Sequence, residues 1–349
     1  MARVLTSSSD QGARTPEPVR ELARAMFFPA LEARGGEMFD PCPVPERRPP
    51  GFDGLRAPWR AANFVNPPWR QAEAWLRKGA REAEERGRAS VFLLAARTHA
   101  RYFARLVFPS AARIVLMQNR VAFEGYPRGS AAPVALYAFG PVAPPAPLPP
   151  PGWRAAELPA RLLALGNGGV RAPPFEQGVL PRLRTLYGPF DAELLGSRAP
   201  PAPGGLGRRS LVVVMGATAA HAAALLAHHR AQPGATTLAL FVSSALASLY
   251  SCRGLVPAAS ELLLLCPALR FGGEESGPSA SGSVGYLLGP APRGNALARL
   301  DTALPARPVT LLSRTENRGG CRATVAGAAG SGAALTAPRG RGARRRGRS

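Results

Sequence analysis

The sequence predicts an α/β protein with a parallel or mixed sheet, helices on both faces, and the whole arrangement laid down twice in tandem. Three observations carry this. Short runs of apolar, β-prone residues alternate with segments of helical periodicity. Proline, glycine and asparagine punctuate the joins. The pattern also recurs at a spacing of about 148 residues.

The first pass of the pattern is read in order. A helix is expected from residue 15 through Leu22, Ala25, Met26 and Leu31, then a short strand into "EMFDPCP" (37–43). "ANFV" (62–65) reads as a buried strand that stops at Asn66, because Pro67 and Pro68 cannot donate to a ladder. From Arg70 to Arg86 a helix is expected. Ala72, Trp75, Leu76 and Ala83 share one face, Glu73–Arg77 and Glu82–Arg86 are i,i+4 pairs, and Gly87 ends it. "SVFLLAA" is a second buried strand, and Thr98 is placed to cap a helix carrying Tyr102, Phe103, Leu106 and Val107. "RIVLMQNRVAF" (113–123) and "APVALYAF" (132–139) read as strands. Together these define a first domain over 1–143.

Residues 144–177, opening "PPAPLPPPGW", read as a semi-rigid linker. Residues 178–296 repeat the first domain. "YGPFDAE" (187–193) falls on "EMFDPCP". Apolar positions survive, but Asn66, Pro67, Pro68 and Trp69 become Val214, Met215, Gly216 and Ala217, and Arg97 and Thr98 become Ala245 and Leu246. The expectation is a degenerate copy that kept its core, lost its chemistry and packs on the first. Residues 297–349, ending "RGRGARRRGRS", are expected to be a disordered cationic tail.

A length of 349 residues accommodates two domains, and 46% hydrophobic residues suffice for packed cores. The formal charge of +22 suggests a polyanionic partner. Lysine occurs once, at Lys78, and Ala, Gly, Pro and Arg abound together, so a GC-rich coding bias accounts for part of that charge. Cys42, Cys252, Cys266 and Cys321 show no C-x-x-C spacing, which argues against a zinc site or a disulfide framework and suits a reducing interior. The N-terminal residues lack a signal-peptide core, and the apolar run 237–252 is too short and serine-rich to span a bilayer. The expected setting is intracellular, with no membrane and no metal. The arginines Arg344, Arg345 and Arg346 read equally as nucleic-acid contacts or as a nuclear-import signal. No Ser/His/Asp order, phosphate-binding glycine loop or carboxylate pair stands out.

The chemistry lies in Asn66-Pro67-Pro68-Trp69. An exocyclic amine conjugated to an aromatic ring is a poor nucleophile, because its lone pair is delocalised. Two acceptors aimed at its two hydrogens favour charge build-up as the nitrogen becomes tetrahedral. The Asn66 side-chain oxygen supplies one and the Pro67 carbonyl the other, while the prolines hold both in place. Trp69 offers a face on which a flipped base can stack. The end of a buried strand just before a helix is also where open α/β sheets bind ligands.

In this order the motifs resemble the phage-type Dam adenine-N6 DNA methyltransferases, whose relatives also occur in some retroelements. Thr15-Pro16 stands at that family's Thr-Pro, and Asp40-Pro41-Cys42 at the end of its first strand. Asp53-Gly54-Leu55 and Trp59 match its Asp-Gly-Leu and tryptophan. "FVNPPW", "LLAARTHARYF" and "NRVAF" follow in the family's sequence. The resemblance covers about residues 15–141. It implies a Rossmann-like class I methyltransferase sheet, S-adenosylmethionine as cofactor, and DNA as substrate with RNA left open. Asn66, Pro67, Pro68 and Trp69 would hold the base. Asp40 and Pro41 would line the cofactor, joined by Thr15 and Asp53. Arg97 and Arg120 are contacts to phosphate or cofactor, or else solvated strand-end arginines. The chain departs from the pattern in having no Gly-x-Gly after Asp40, and in His99 where many relatives have Asp. Two other functions stay open: methylation of a protein glutamine, whose amide nitrogen poses the same problem, and a catalytically silent nucleic-acid-binding relic.

Overall fold

The first helix, α1 (Glu17–Phe27), opens behind Pro16 and carries Pro18 in its first turn, where a missing N–H costs nothing. It buries Val19, Leu22, Ala23, Met26 and Phe27, and the one-turn α2 (Pro29–Glu32) follows. These elements belong to a computed structural model that describes residues 13–124, 133–144, 149–165, 174–202, 204–215, 218–242, 253–266, 269, 283–290 and 303–315. The strand expected at 37–43 is reduced to one parallel bridge between Phe39 and Asn63, because Pro41 and Pro43 have no N–H to extend it.

β1 (Ala62–Val65) stops at the diproline, as its sequence requires, and a 3-10 turn at Trp69–Gln71 leads into α3 (Ala72–Arg86). This helix carries ion pairs Glu73–Arg77 and Glu82–Arg86, each 2.6 Å, and ends on Gly87 at φ 59°. β2 (Ala89–Ala95) is buried throughout. Thr98 does not cap the segment after it; its hydroxyl is buried without a partner. That segment contains a π-helical turn at Phe103–Val107, which runs into the one-turn α4 (Phe108–Ser110). β3 (Arg113–Met117) is shorter than expected, since the Asn119 side-chain oxygen, not the backbone, accepts from the Arg314 N–H at 2.6 Å. Val121 and Phe123 stay buried outside the strand, and β4 (Val134–Phe139) closes this half.

The stretch expected to be a linker contains β5 (Trp153–Ala164). A π-helical turn at Phe175–Val179 then leads into α5 (Leu180–Tyr187) and β6 (Ala192–Ser197). β7 (Arg209–Val214), α6 (Ala219–Ala231), β8 (Thr236–Phe241), β9 (Ala259–Cys266) and β10 (Val284–Leu288) follow. The stretch expected to be a disordered tail begins with β11 (Ala303–Arg314); Arg344, Arg345 and Arg346 lie outside the described residues. Proline hid both strands. Pro159 and Pro308 sit opposite one another in the β5–β11 register, and β5 pairs with β9 only from Ala160 onward, past the missing donor.

All eleven strands form one sheet, in the order β1-β2-β4-β3-β11-β5-β9-β10-β8-β7-β6. β1 is parallel to β2, β4 runs against both β2 and β3, and β3 is parallel to β11. From the other edge, β6, β7 and β8 are mutually parallel, β10 runs against β8 and β9, and β9 is parallel to β5. β5 and β11 meet antiparallel in the middle. The sheet is therefore mixed and covered on both faces. Alternate side chains separate the cores. Phe92 and Leu94 pack with Trp75 and Leu76 of α3 on a face that also holds Leu225 of α6. Val91 and Leu93 pack under α1 on the opposite face, and Leu238 and Leu240 under α5.

Candidate functional site

At the carboxyl end of β1 a cavity of about 250 Å³ gathers Thr15, Asp40, Asn66, Pro67, Pro68 and Trp69. Four arginines, Arg14, Arg20, Arg24 and Arg47, share its wall with Glu17, Glu37 and Glu124. A second cavity of about 210 Å³ shares Cys42 and Pro68 with the first and adds Pro41, Asp53 and Gly54. Arg97 and Arg120 are exposed and line neither.

Asn66 is held by its nitrogen. Its Nδ2 donates to the Ala13 carbonyl at 3.2 Å and to Thr15 Oγ1 at 3.1 Å. A carbonyl can only accept, so the amide end facing Ala13 must be the NH2, which leaves Oδ1 on the other side. Among the described residues nothing donates to that oxygen or to the Pro67 carbonyl; the next carbonyl, of Pro68, accepts from Gln71 N at 2.9 Å. Pro68 is fixed at φ −55° and ψ 123°. Trp69 is half-buried, braced against the cores of both sheet faces.

Asp40 accepts from the Cys42 N–H at 2.9 Å and faces Arg20 at 3.6 Å. Burial raises its carboxyl above the ordinary range, opposed by the Cys42 N–H and then by the Arg20 charge. The Arg20 guanidinium is itself fixed, 5.3 Å from the Phe64 ring centroid and 3.8 Å from Glu17. Burial, with the Asp40 charge behind it, pushes the Cys42 thiol up to about 12.

Asp53 is exposed, with Oδ1 accepting from Leu55 N at 2.9 Å and Arg56 3.4 Å away. Its motif serves the wall of the site. A Cβ on Gly54 would stand 1.7 Å from the Pro41 carbonyl oxygen. The Gly54 carbonyl accepts from Trp59 Nε1 at 2.8 Å, and Trp59 stacks on Trp75 of α3 with centroids 6.3 Å apart. His99 is half-buried with Nδ1 unpartnered among the described residues, and burial holds its pKa down, aided by Arg97. Sequence reasoning missed Ala13, which acts through its backbone, and Arg20, whose i,i+3 spacing from Glu17 was the one available signal.

In the other half Val214 is buried at the end of β7 and Met215 packs on the core under α5. Gly216, Ala217, Ala245 and Leu246 lie outside the described residues. Glu261 is buried there, paired with Arg161 through two 3.0 Å bonds and accepting from Tyr187 Oη at 2.6 Å. Among the described residues no group of three His, Cys, Asp or Glu is placed to hold a metal ion, and no helix is long and apolar enough to cross a membrane. The sequence matches no family model and no curated protein, and the fold matches no solved structure.

Proposed function

We propose that the chain is an S-adenosylmethionine-dependent adenine-N6 DNA methyltransferase, with Asn66-Pro67-Pro68-Trp69 holding and activating the amino group. One observation carries this: the Asn66 amide is pinned through its nitrogen, beside a Pro67 carbonyl that accepts no bond among the described residues, in a cavity that Trp69 also lines. Two oxygens at one corner suit an NH2 group that becomes more nucleophilic as its hydrogens are accepted. The excess proton leaves to water after alkylation, so no general base is required. Trp69 gives the ring a face to stack on.

The residues present fit the cofactor. A sulfonium amino acid needs carboxylates near its cationic groups and a guanidinium near its carboxylate, and the cavity wall supplies Asp40, Glu17 and Glu37 beside Arg20 and Arg24. Asp40 and Pro41 would hold it, with Asp53 at the edge of the adjoining cavity. When bound it supplies an electrophilic methyl group. The matching strand orders on either side of the β5–β11 pair favour a Rossmann-like methyltransferase sheet present twice, with the site kept only in the first copy. The charge of +22 favours a polyanionic substrate over a peptide.

Labelled methyl transfer to unmethylated DNA, RNA and a glutamine peptide tests the proposal. Label is expected in adenine of DNA, and Asn66→Ala should lower the rate by about a hundredfold or more, the usual effect of deleting one transition-state hydrogen bond. An unchanged rate in that variant removes Asn66 from the chemistry.

A further inference from the structure

We infer that the Ala13 carbonyl decides which end of the Asn66 amide faces the cavity, and that Thr15 is the positioning residue that holds the amide in that place. This rests on the amine-acceptor role proposed above. A terminal amide torsion is broad and roughly two-fold, so the diproline corner by itself does not choose between oxygen and nitrogen. The choice comes from the Ala13 carbonyl, 53 positions earlier in the chain and 3.2 Å from Nδ2, which can only accept; Thr15 Oγ1, 51 positions earlier and 3.1 Å away, adds a second bond that holds the amide there. Turned over, the amide would set its oxygen against the Ala13 carbonyl, acceptor to acceptor, and aim an N–H at the substrate's own N–H groups. An activating acceptor would become a repelling donor.

The segment is built to hold this position. Pro16 biases Thr15 towards extended backbone. The Pro16 carbonyl accepts from Val19 N at 2.9 Å as α1 begins, which ties the segment to the helix packed under β1 and β2. On its other side the Arg14 carbonyl accepts from Glu124 N at 3.2 Å. The strap is anchored at both ends while its polar groups meet Asn66. A Thr-Pro before the first helix thereby acquires a physical task distinct from cofactor contact.

The test uses the full-length protein with Thr15→Val, which keeps the shape and removes the hydroxyl, and Thr15→Ser, which keeps the hydroxyl. The Asn66 side-chain amide is followed by nitrogen-15 NMR, its signal identified by its loss in Asn66→Ala. Thr15→Val should speed hydrogen exchange of that NH2 about tenfold, the worth of one hydrogen bond, and Thr15→Ser should restore it to within about threefold. In turnover, Thr15→Val should lower kcat about tenfold and leave KM for the cofactor within about twofold, because the amide orients the amine and not the donor. Exchange unchanged in Thr15→Val overturns the inference, as does a rise in cofactor KM at constant kcat, which would make Thr15 a cofactor contact. If the wild-type protein transfers no methyl group to DNA, the proposed function falls, and amide exchange still decides whether the strap orients Asn66.

Discussion

Gly54→Ala reads the site's wall without relying on any reaction. The new Cβ would lie 1.7 Å from the Pro41 carbonyl oxygen, 2.8 Å from its carbon and 3.0 Å from the Trp75 ring. Since Cβ contacts essentially never fall below 3.0 Å, one backbone must retreat by more than an ångström. No flexible side chain end can yield, because the closest atoms are backbone. Overpacking costs about 1–3 kcal/mol, and a forced backbone shift belongs at the upper end. At about 1–2 °C per kcal/mol for a chain of this size, melting should fall by roughly 3–6 °C. Pro41 adjoins Asp40 and Cys42, so its displacement should open the wall between the two cavities. Peptide-resolved maleimide labelling of the sheltered Cys42 thiol should then rise several-fold. Gly152→Ala is the control. Its φ of 83° strains an alanine, but nothing stands within 4 Å, so a loss of about 1–2 kcal/mol is expected with no change at Cys42. Melting within 1 °C of wild type for Gly54→Ala, with Cys42 labelling unaltered, would refute the close approach.

Glu261→Leu leaves Arg161 and the Tyr187 hydroxyl buried without their partner and should cost about 3–5 kcal/mol by urea unfolding, whereas Arg161→Met with Glu261→Leu should cost less than either change alone. Ending the chain before residue 303 removes β11 and exposes the edges of β3 and β5, so the product should aggregate on size exclusion; ending it after residue 315 should not cause this. His99 has a folded pKa held below its ordinary 6.5, so the folded state binds fewer protons than the unfolded one. Its contribution is present above that value and is lost as pH falls through it. His99→Gln should therefore flatten the decline in melting temperature between pH 8 and pH 5, and an unchanged slope would show that His99 is not its source.

The setting of the candidate site was legible where its signals are local. A strand ending on Asn66-Pro67 announces itself, because proline cannot continue a ladder, and α3 shows its apolar stripe and its Gly87 stop directly. The pattern failed where partners are distant. β5 and β11 are neighbours separated by about 150 residues, and Pro159 and Pro308 made each look like linker or tail, since nothing local says that the two prolines face one another. Thr98 looked like a cap because threonine often is one, yet the fold buries it. Beside Asp53, Gly54 and Trp59 carry a packing constraint that nothing local in the sequence shows. The strap over Asn66 uses a backbone carbonyl, and any residue at position 13 supplies one, so no composition rule could have found it.

The exchange of β5 and β11 gives the half without the tetrapeptide a physical reason to persist. β5 follows the first four strands in the chain but runs parallel with β9 of the other half, while β11 ends that other half and runs parallel with β3. Neither half owns the strand that completes its sheet. A substitution that loosens the core around β9, where Leu262, Leu263, Leu264 and Leu265 are all buried, loosens β5, and β5 holds β11 against β3. The packing of one half is thus coupled to the half that carries Asn66. β7, which ends at Val214, pairs with β6 and β8 and forms no part of the β5–β11 seam. Loss of a leucine from β9 would be felt across the seam and in the half that carries Asn66.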